Sequence, residues 1–402
     1  MVTEQPSKAV DDVPEGTPAS LQSATAMHDP FGWYRTQRAR GPVQYDPQRN
    51  VYDVFSYRHV KETLQDSAAF ARKPLSRSHS DAQMAFEYLD NAMVWSDGPK
   101  HTDAKAKLFQ YFRPDMLAEL ETAIRDITRD QLSVATVDGT EFDFVSDFAV
   151  PVPLRVVMDV VGIPQEDHQQ LFSWLETFRE VMNTEYSATE SGDGSLMTEA
   201  VEYFRALVTQ RRKDPQNDLI SKLAAETELS GAEIGSNCFD FILAGQGTMS
   251  ELLANALFLF DDQNLLAEPA AHDISELLEE VLRYRSPLQA RARETIRGVT
   301  IGETDIPGEE TVILWLGAAN RDPDRFERPE AFVPDRDPEH LAFGTGAHSC
   351  IGAPLARLQA PIVLETFFES IASVTLDLEA AEPKWKASKL GFERLPVAVT
   401  QL

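Results

Sequence analysis

Apolar positions along the 402-residue chain follow two different periods, and the change of period predicts where helices give way to strands. Residues 41–60, GPVQYDPQRNVYDVFSYRHV, alternate apolar and polar positions around turn chemistry. Val43, Tyr45, Val51 and Val54 there predict the two short strands of a hairpin. From about 100 to 285 the spacing is mostly helical. Leu108, Phe109 and Phe112 precede Pro114, and Leu117, Leu120 and Ile124 then recur every three or four residues. Met158, Val161 and Ile163 close another helical region at Pro164. The polar, glycine-containing run 184–198 predicts a loop between helices at 165–183 and 196–213, and 236–255 predict a long central helix. After 285, β-branched runs broken by Gly and Pro predict short strands and turns. Residues 320–350 are rich in Pro, Asp and Gly, and a structureless segment of that length is uncommon unless it is functional. The run LARLQAPIVLETFFESI then predicts a helix kinked at Pro361. The expectation is a mainly α protein with a smaller β part, one compact domain over 21–402 behind a disordered stretch, 1–20.

Composition narrows the function. Acidic residues number 65 and basic residues 37, for a net charge of −28. Neutralising a phosphate backbone needs clustered Lys and Arg, so an extended nucleic-acid surface is excluded, and an anionic membrane is a poor partner. A hydrophobic content of 43% suffices for a large core. The basic residues are 11 Lys and 26 Arg, so acid gain coincides with lysine loss. That fits a halophilic cytoplasm and, equally, an ordinary acidic protein. Two cysteines, Cys238 and Cys350, form no disulfide framework, so a reducing compartment is expected. The N-terminus has acids and prolines where a signal peptide needs an apolar run. The longest plain apolar stretch, around Thr311–Ala319, is far short of a membrane span. A cytoplasmic protein without a membrane anchor is expected.

The chemistry concentrates in Phe343–Gly352, FGTGAHSCIG, directly before an apolar helix. Gly344 and Gly346 permit tight turns, and Gly352 permits close approach by a flat or bulky group. Cys350 stands just before a helix start, where free N–H groups favour a thiolate. A lone Cys makes a poor zinc site but a good single axial ligand for haem iron. The residues alone leave that reading level with a buried structural cysteine.

Residues 340–359, HLAFGTGAHSCIGAPLARLQ, resemble the haem-binding loop of cytochromes P450, Phe-x-x-Gly-x-x-x-Cys-x-Gly, with Phe343, Gly346, Cys350 and Gly352 at its fixed positions. The resemblance implies that Cys350 is the iron ligand of a haem b, that Phe343 packs beside the thiolate and that His348 touches a haem propionate. Gln359 departs from the Glu usual in soluble members. Glu280-Val-Leu-Arg283 resembles the family's Glu-x-x-Arg motif, and FERPEAFVPDR its meander, which implies a structural network of Glu280, Arg283 and Arg336. Residues 94–113 resemble a segment whose His binds a propionate. His101 takes that place, with Lys105 where the family has Arg; Arg293, with Arg291 as competitor, matches a further propionate contact.

The segment SNCFDFILAGQGTMSELLAN resembles the oxygen-binding helix, Ala-Gly-x-Asp/Glu-Thr. Ala244, Gly245 and Thr248 match, but the acid position is Gly247; the resemblance implies a Thr–acid pair that relays protons to bound oxygen, so Thr248 is expected to serve, with Gln246, polar one position early, or water in place of the acid. The resemblance therefore implies the P450 fold, with haem between this helix and the helix after the cysteine. It also implies a monooxygenase that inserts one atom of O2 into a small apolar substrate, with a separate ferredoxin and its NAD(P)H-dependent reductase. Met84, Phe86, Met93, Val94, Phe178, Met182, Leu243, Leu288, Gln289 and Phe392 fall where the family contacts substrate. Lys100, Lys105, Lys107 and Arg113 form a local basic cluster suited to an acidic electron donor. Gly247 keeps open a peroxide-driven or oxidative-coupling enzyme, and a non-catalytic haem-binding sensor or carrier is the remaining alternative.

Overall fold

The computed structural model describes residues 16–72, 90–175, 194–226, 228–384 and 386–402. The chain divides into two compact units built from interleaved segments. One comprises residues 1–73, 119–152 and 248–402; the other comprises 74–118 and 153–247.

The first unit holds every described strand. β1 (Val43–Asp46) and β2 (Val51–Val54) form the expected antiparallel hairpin, with Val43 opposite Val54. β3 (Phe70–Ala71) lies at one edge of the same five-stranded sheet, whose order is β1-β2-β8-β5-β3. A short β4 (Glu141–Asp143) belongs to a second sheet. Next come β5 (Ala290–Thr295), the ribbon β6 (Val299–Ile301) with β7 (Thr304–Ile306), and β8 (Thr311–Trp315). β8 runs parallel to β2 and antiparallel to β5. β9 (Ile371–Leu376), the pair β10 (Glu382–Pro383) and β11 (Phe392–Arg394), and β12 (Pro396–Gln401) complete the set, with β12 between β4 and β9. The apolar stretch at Thr311–Ala319 is thus the central strand β8 and the helical turn Leu316–Ala319 after it, with Val312 and Leu314 buried on one face of the strand and Trp315 on the other. Such strands read as continuous apolar runs. No helix among the described residues is long and apolar enough to cross a membrane.

The second unit is helical. Gly98–Phe109, 168–175, Gly194–Lys213 and Leu219–Glu226 lie wholly in it, with most of Pro151–Val161. Aromatic contacts run from Trp174 to Tyr203, Phe204 and Phe239.

The central helix is longer than its apolar core predicts, Gly231–Asp262 rather than 236–255. Its start is fixed by a capping box outside the apolar run. Ser230 Oγ accepts from the Glu233 N–H at 3.2 Å, and Glu233 Oε2 accepts from the Ser230 N–H at 2.9 Å. The helix predicted over 165–183 begins as a 3-10 turn, Gln165–Asp167, and 176–193 lie outside the described residues. Gly194 already belongs to a helix, so the loop predicted over 184–198 ends sooner. Residues 321–352 contain neither helix nor strand, as their composition predicts. Helix Ala353–Glu369 continues through Pro361 without a break, where burial of Ala360, Val363, Leu364 and Phe367 offsets the lost backbone bond. Of the stretch expected to be disordered, residues 16–20 are described, and there Thr17 and Pro18 are buried and the Leu21 N–H donates to Pro18 O.

Candidate active site

The cysteine loop is tied by its own backbone. The Gly344 N–H donates to Leu341 O, the Ser349 N–H to Gly346 O at 3.1 Å, and the Cys350 N–H to Phe343 O at 2.8 Å. These bonds need left-handed turns, supplied by Gly344 at φ 66° and Gly346 at φ 73°. Gly346 is doubly constrained. A Cβ there would lie 2.6 Å from Leu64 O, at the end of helix Tyr57–Gln65. Gly352 has φ −81°, and its Cβ would meet only Cys350 Sγ, at 3.9 Å, so the loop backbone itself does not require glycine there. Gly346→Ala is expected to cost about 1–3 kcal/mol from backbone strain alone. The prosthetic group should be lost at lower urea than in wild type, read from the visible spectrum; an unchanged midpoint would show that the loop can move off Leu64.

Cys350 is exposed, whereas Cys238 is fully buried and burial pushes its thiol well above the usual range. At the start of the loop, the Phe343 ring lies beneath the Arg357 guanidinium at 4.7 Å and against His340 at 5.8 Å. Glu279 binds both partners: His340 Nε2 lies 3.0 Å away, and Arg357 Nε and Nη2 donate at 2.7 and 2.9 Å. The sequence reading missed this cluster, and its only signal was a carboxylate beside Glu280.

Burial alone would raise the Glu279 carboxyl, but the bonds from His340 and Arg357 outweigh it and hold the group at about 2, below its ordinary 4.5. A carboxyl depressed on folding stabilises fully above its unfolded value and less as protons bind the folded form. Stability from this cluster should therefore be complete above about pH 4.5 and fade towards pH 2. Acid unfolding of wild type against Glu279→Gln checks it, since the variant should lack this component of the acid transition.

Glu280 and Arg283 are fully buried, paired through Arg283 Nε to Glu280 Oε2 and Nη2 to Oε1, both at 2.7 Å. Arg336 Nε joins Glu280 Oε1 at 3.2 Å. The amphipathic helix Ile274–Tyr284 turns this pair inwards, capped at its start by the Asp273 side chain.

Two of the expected substrate residues lie instead in the core. Gln289 is buried, accepting from Tyr34 Oη at 2.8 Å and donating to Ser286 O at 2.6 Å. Phe392 packs against His28 and Phe258, with the Arg285 guanidinium over its ring. A polar or aromatic residue between strands serves packing as readily as binding, and only contacts separate the two. Leu288 is half-buried against the sheet core. Met93 is buried, its N–H held by Asn237 at 2.9 Å, while Val94 and Leu243 are half-buried. Met84, Phe86, Phe178 and Met182 lie outside the described residues.

Strand β5 separates the two competing arginines, with Arg293 buried and Arg291 exposed. His348 is half-buried in the cysteine loop. In the second unit, His101 is buried and Lys105, one helical turn on, is half-buried on the same face. The basic cluster is less available than its sequence suggests. Lys107 pairs with Asp103 at 2.7 Å, and Arg113 pairs with Asp115 at 2.8 Å.

The central helix is buried over most of its length but opens at Leu243, Ala244, Gly245, Gly247 and Thr248, with Ala244 exposed. Ala244, Gly247 and Thr248 share one face by helical rotation. Gln246 is buried and turned about 200° from Thr248, so it cannot replace a missing acid beside that hydroxyl. A Cβ on Gly245 would touch Val157, so its small size serves helix packing.

The donor set fits one axial ligand to haem. A single accessible thiol is presented on a rigid loop, and no group of three His, Cys, Asp or Glu among the described residues is arranged to hold a bare metal ion. The comparisons agree with that chemistry. Residues 274–397 match the family model described as cytochrome P450. The chain is 31% identical to cytochrome P450 109 of Bacillus spizizenii, over 92% of each chain. It is 31% identical to the erythromycin C-12 hydroxylase of Saccharopolyspora erythraea, over 96% of this chain and 97% of that one. It also superposes on the crystal structure of P450BioI with hexadec-9Z-enoic acid ligated acyl carrier protein. The TM-score there is 0.85 at 28% identity, covering 94% of this chain and 99% of that one.

Proposed function

The chain belongs to the cytochrome P450 family of monooxygenases, and on that premise we propose that Cys350 ligates haem b for oxygen insertion into a small apolar substrate. The observation that carries the assignment is the exposed Cys350 thiol on a loop fixed by Phe343 O and Gly346. When bound, haem supplies the oxidative chemistry, and thiolate donation favours O–O cleavage.

The chain's own residues have separate tasks. Cys350 Sγ is the ligand atom, and the loop's backbone bonds keep it at one position. Arg357 and His340 clamp the Phe343 ring at the start of the loop. Buried Arg293 and half-buried His348 supply positive or donor groups for a propionate, and the family's motif gives buried His101 and half-buried Lys105 the same role. Ala244 and Gly247 leave room along the central helix, and Thr248 Oγ1 passes protons at its accessible face.

Electrons come from a separate ferredoxin and its NAD(P)H-dependent reductase. The pairing of Lys107 and Arg113 with neighbouring acids argues against docking through that cluster alone. The acid-rich composition and the absence of a spanning helix among the described residues support a cytoplasmic location, with salt adaptation as one use of the charge.

The relatives act on or bind a macrolide, a fatty acyl chain and, in CYP109E1 of Bacillus megaterium, testosterone. Their common property is a large apolar body, and that class is what we carry to this chain, with Leu288, Met93, Val94 and Leu243 as contacts. Titrating testosterone, hexadec-9-enoic acid and erythromycin-type macrolides while following the haem spin state tests it. No spin shift with any of them would reject the substrate class. Gly247 favours one second reading, peroxide-driven turnover. Wild-type product formation faster with H2O2 than with NAD(P)H and its carriers would establish that reading.

A further inference from the structure

The central helix carries one buried carboxylate on the face of Thr248. Glu251 lies three residues beyond Thr248 and four beyond Gly247, and its rotation falls within about 60° of both, and of Ala244. Helical side chains tilt towards the N-terminus, so Glu251 leans back towards Thr248, with Cβ atoms about 5–6 Å apart.

The Glu251 side chain is 1% exposed and held from one side only. Lys384 Nζ and Lys389 Nζ both reach Oε1 at 3.1 Å. A Cβ on Gly391 would lie 3.0 Å from Glu251 Cγ, so that glycine gives the carboxylate its room. The clamp is anchored one turn further on, where Asn255 Nδ2 donates to Leu390 O at 2.9 Å. Lys386 faces the same group, its ammonium lowered by burial and then by Lys389. Three of the chain's eleven lysines therefore surround one acid.

Glu251 Oε2 has no hydrogen-bond partner. Among the described residues of this unit, one other buried side-chain atom shares that condition, Gln359 Nε2. One is an acceptor and the other a donor. Buried orphans of this kind mark places where water or a ligand completes the bonding.

We propose that Glu251 is the carboxylate that relays protons to Thr248, in place of the acid missing at Gly247, and that Lys384 and Lys389 connect it to solvent. The proposal rests on the monooxygenase reading. In each relay, Oε1 takes up a proton from a lysine, rotation of the carboxyl group carries that oxygen into the place of Oε2, and it passes the proton, directly or through one water, to Thr248 Oγ1, which releases its own proton onward. Glu251 returns to the carboxylate, and no electrons move in this step. The lysine side chains, 24% and 28% exposed, each give a proton across the 3.1 Å contact and recover one from water. Glu251 is thus a positioning and relay residue rather than one that touches the substrate.

The test compares holoenzyme of wild type, Glu251→Gln and Glu251→Asp, using the panel ligand with the largest spin shift and a surrogate ferredoxin and reductase. Hydrogen peroxide brings its own protons, so it bypasses the relay. The ratio of peroxide-supported to NADPH-supported product should rise about tenfold or more in Glu251→Gln, within the range of proton-transfer effects. Glu251→Asp should recover part of it. Infrared titration of the resting holoenzyme gives a readout independent of turnover. As the pH is lowered, a buried carboxyl band that shifts in D2O should grow in wild type, showing protonation and exchange with solvent, and should be absent from Glu251→Gln. An unchanged ratio, a band that does not shift, or equal loss of both routes with loss of the thiolate spectrum would overturn the proposal and leave Glu251 a structural clamp. Wild type that forms product with peroxide but none with NADPH would instead overturn the electron-supplied reading.

Discussion

Cys350→Ala should give a reduced carbonyl complex without the red-shifted Soret band of a thiolate ligand, and turnover should fall more than about 100-fold. Loss of a mere hydrogen-bond partner to a metal ligand already costs about 10–100-fold, and here the ligand itself is removed. The variant should still fold, because the loop is held by the Cys350 N–H, which alanine retains, and by the glycine turns. Rescue by the second cysteine is ruled out by chemistry, since Cys238 is fully buried and its thiol is pushed up by burial. Visible spectra with carbon monoxide, together with circular dichroism, separate loss of the ligand from loss of the fold. A persistent thiolate band would mean that Cys350 is not the ligand.

Arg283→Lys should be the most damaging conservative substitution in the chain. The five N–H donors of Arg283 are all used. Nε and one Nη2 hydrogen bind Glu280, the other Nη2 hydrogen binds Ala331 O, and Nη1 binds Asn320 O and Pro329 O, all between 2.7 and 3.0 Å. A lysine has three donors on a flexible stem and cannot reproduce a planar fork. Two or more buried acceptors would lose their partners, at a cost of about 3–5 kcal/mol by analogy with broken buried ion pairs. Arg336→Lys should cost less, because Arg336 reaches Glu280 through one contact at 3.2 Å and its side chain is 14% exposed. Urea midpoints of the two variants check the order. If they shift alike, the carbonyls of the 320–331 segment do not depend on the fork.

The comparison of sequence with structure turns on how far apart the interacting residues lie. The β1–β2 hairpin and the irregular 320–350 segment were legible because turn chemistry and alternation act within a few residues. So was the cysteine loop, whose glycines and thiol lie within ten positions. The core partners of Gln289 and Phe392, Tyr34 and His28, were not legible, because they lie more than 250 positions away and leave no local mark. Gln246 fails for a different reason. It is adjacent in sequence to the reactive stretch, yet one step along a helix rotates a side chain by about 100°.

The sequence by itself determined the cysteine we propose as ligand, the turns that present it, the Glu280–Arg283 spacing and the Gly at 247, because each depends on chain neighbours and fixed backbone geometry. Tertiary structure alone decided which charges are buried and whom they meet. Glu279 became the partner of His340 and Arg357 beside Phe343, two of the four cations near 105 were paired with acids, and Glu251 was enclosed by Lys384 and Lys389. An ionisable group takes its character from the dielectric and the partners that packing brings to it, and those arrive from remote parts of the chain.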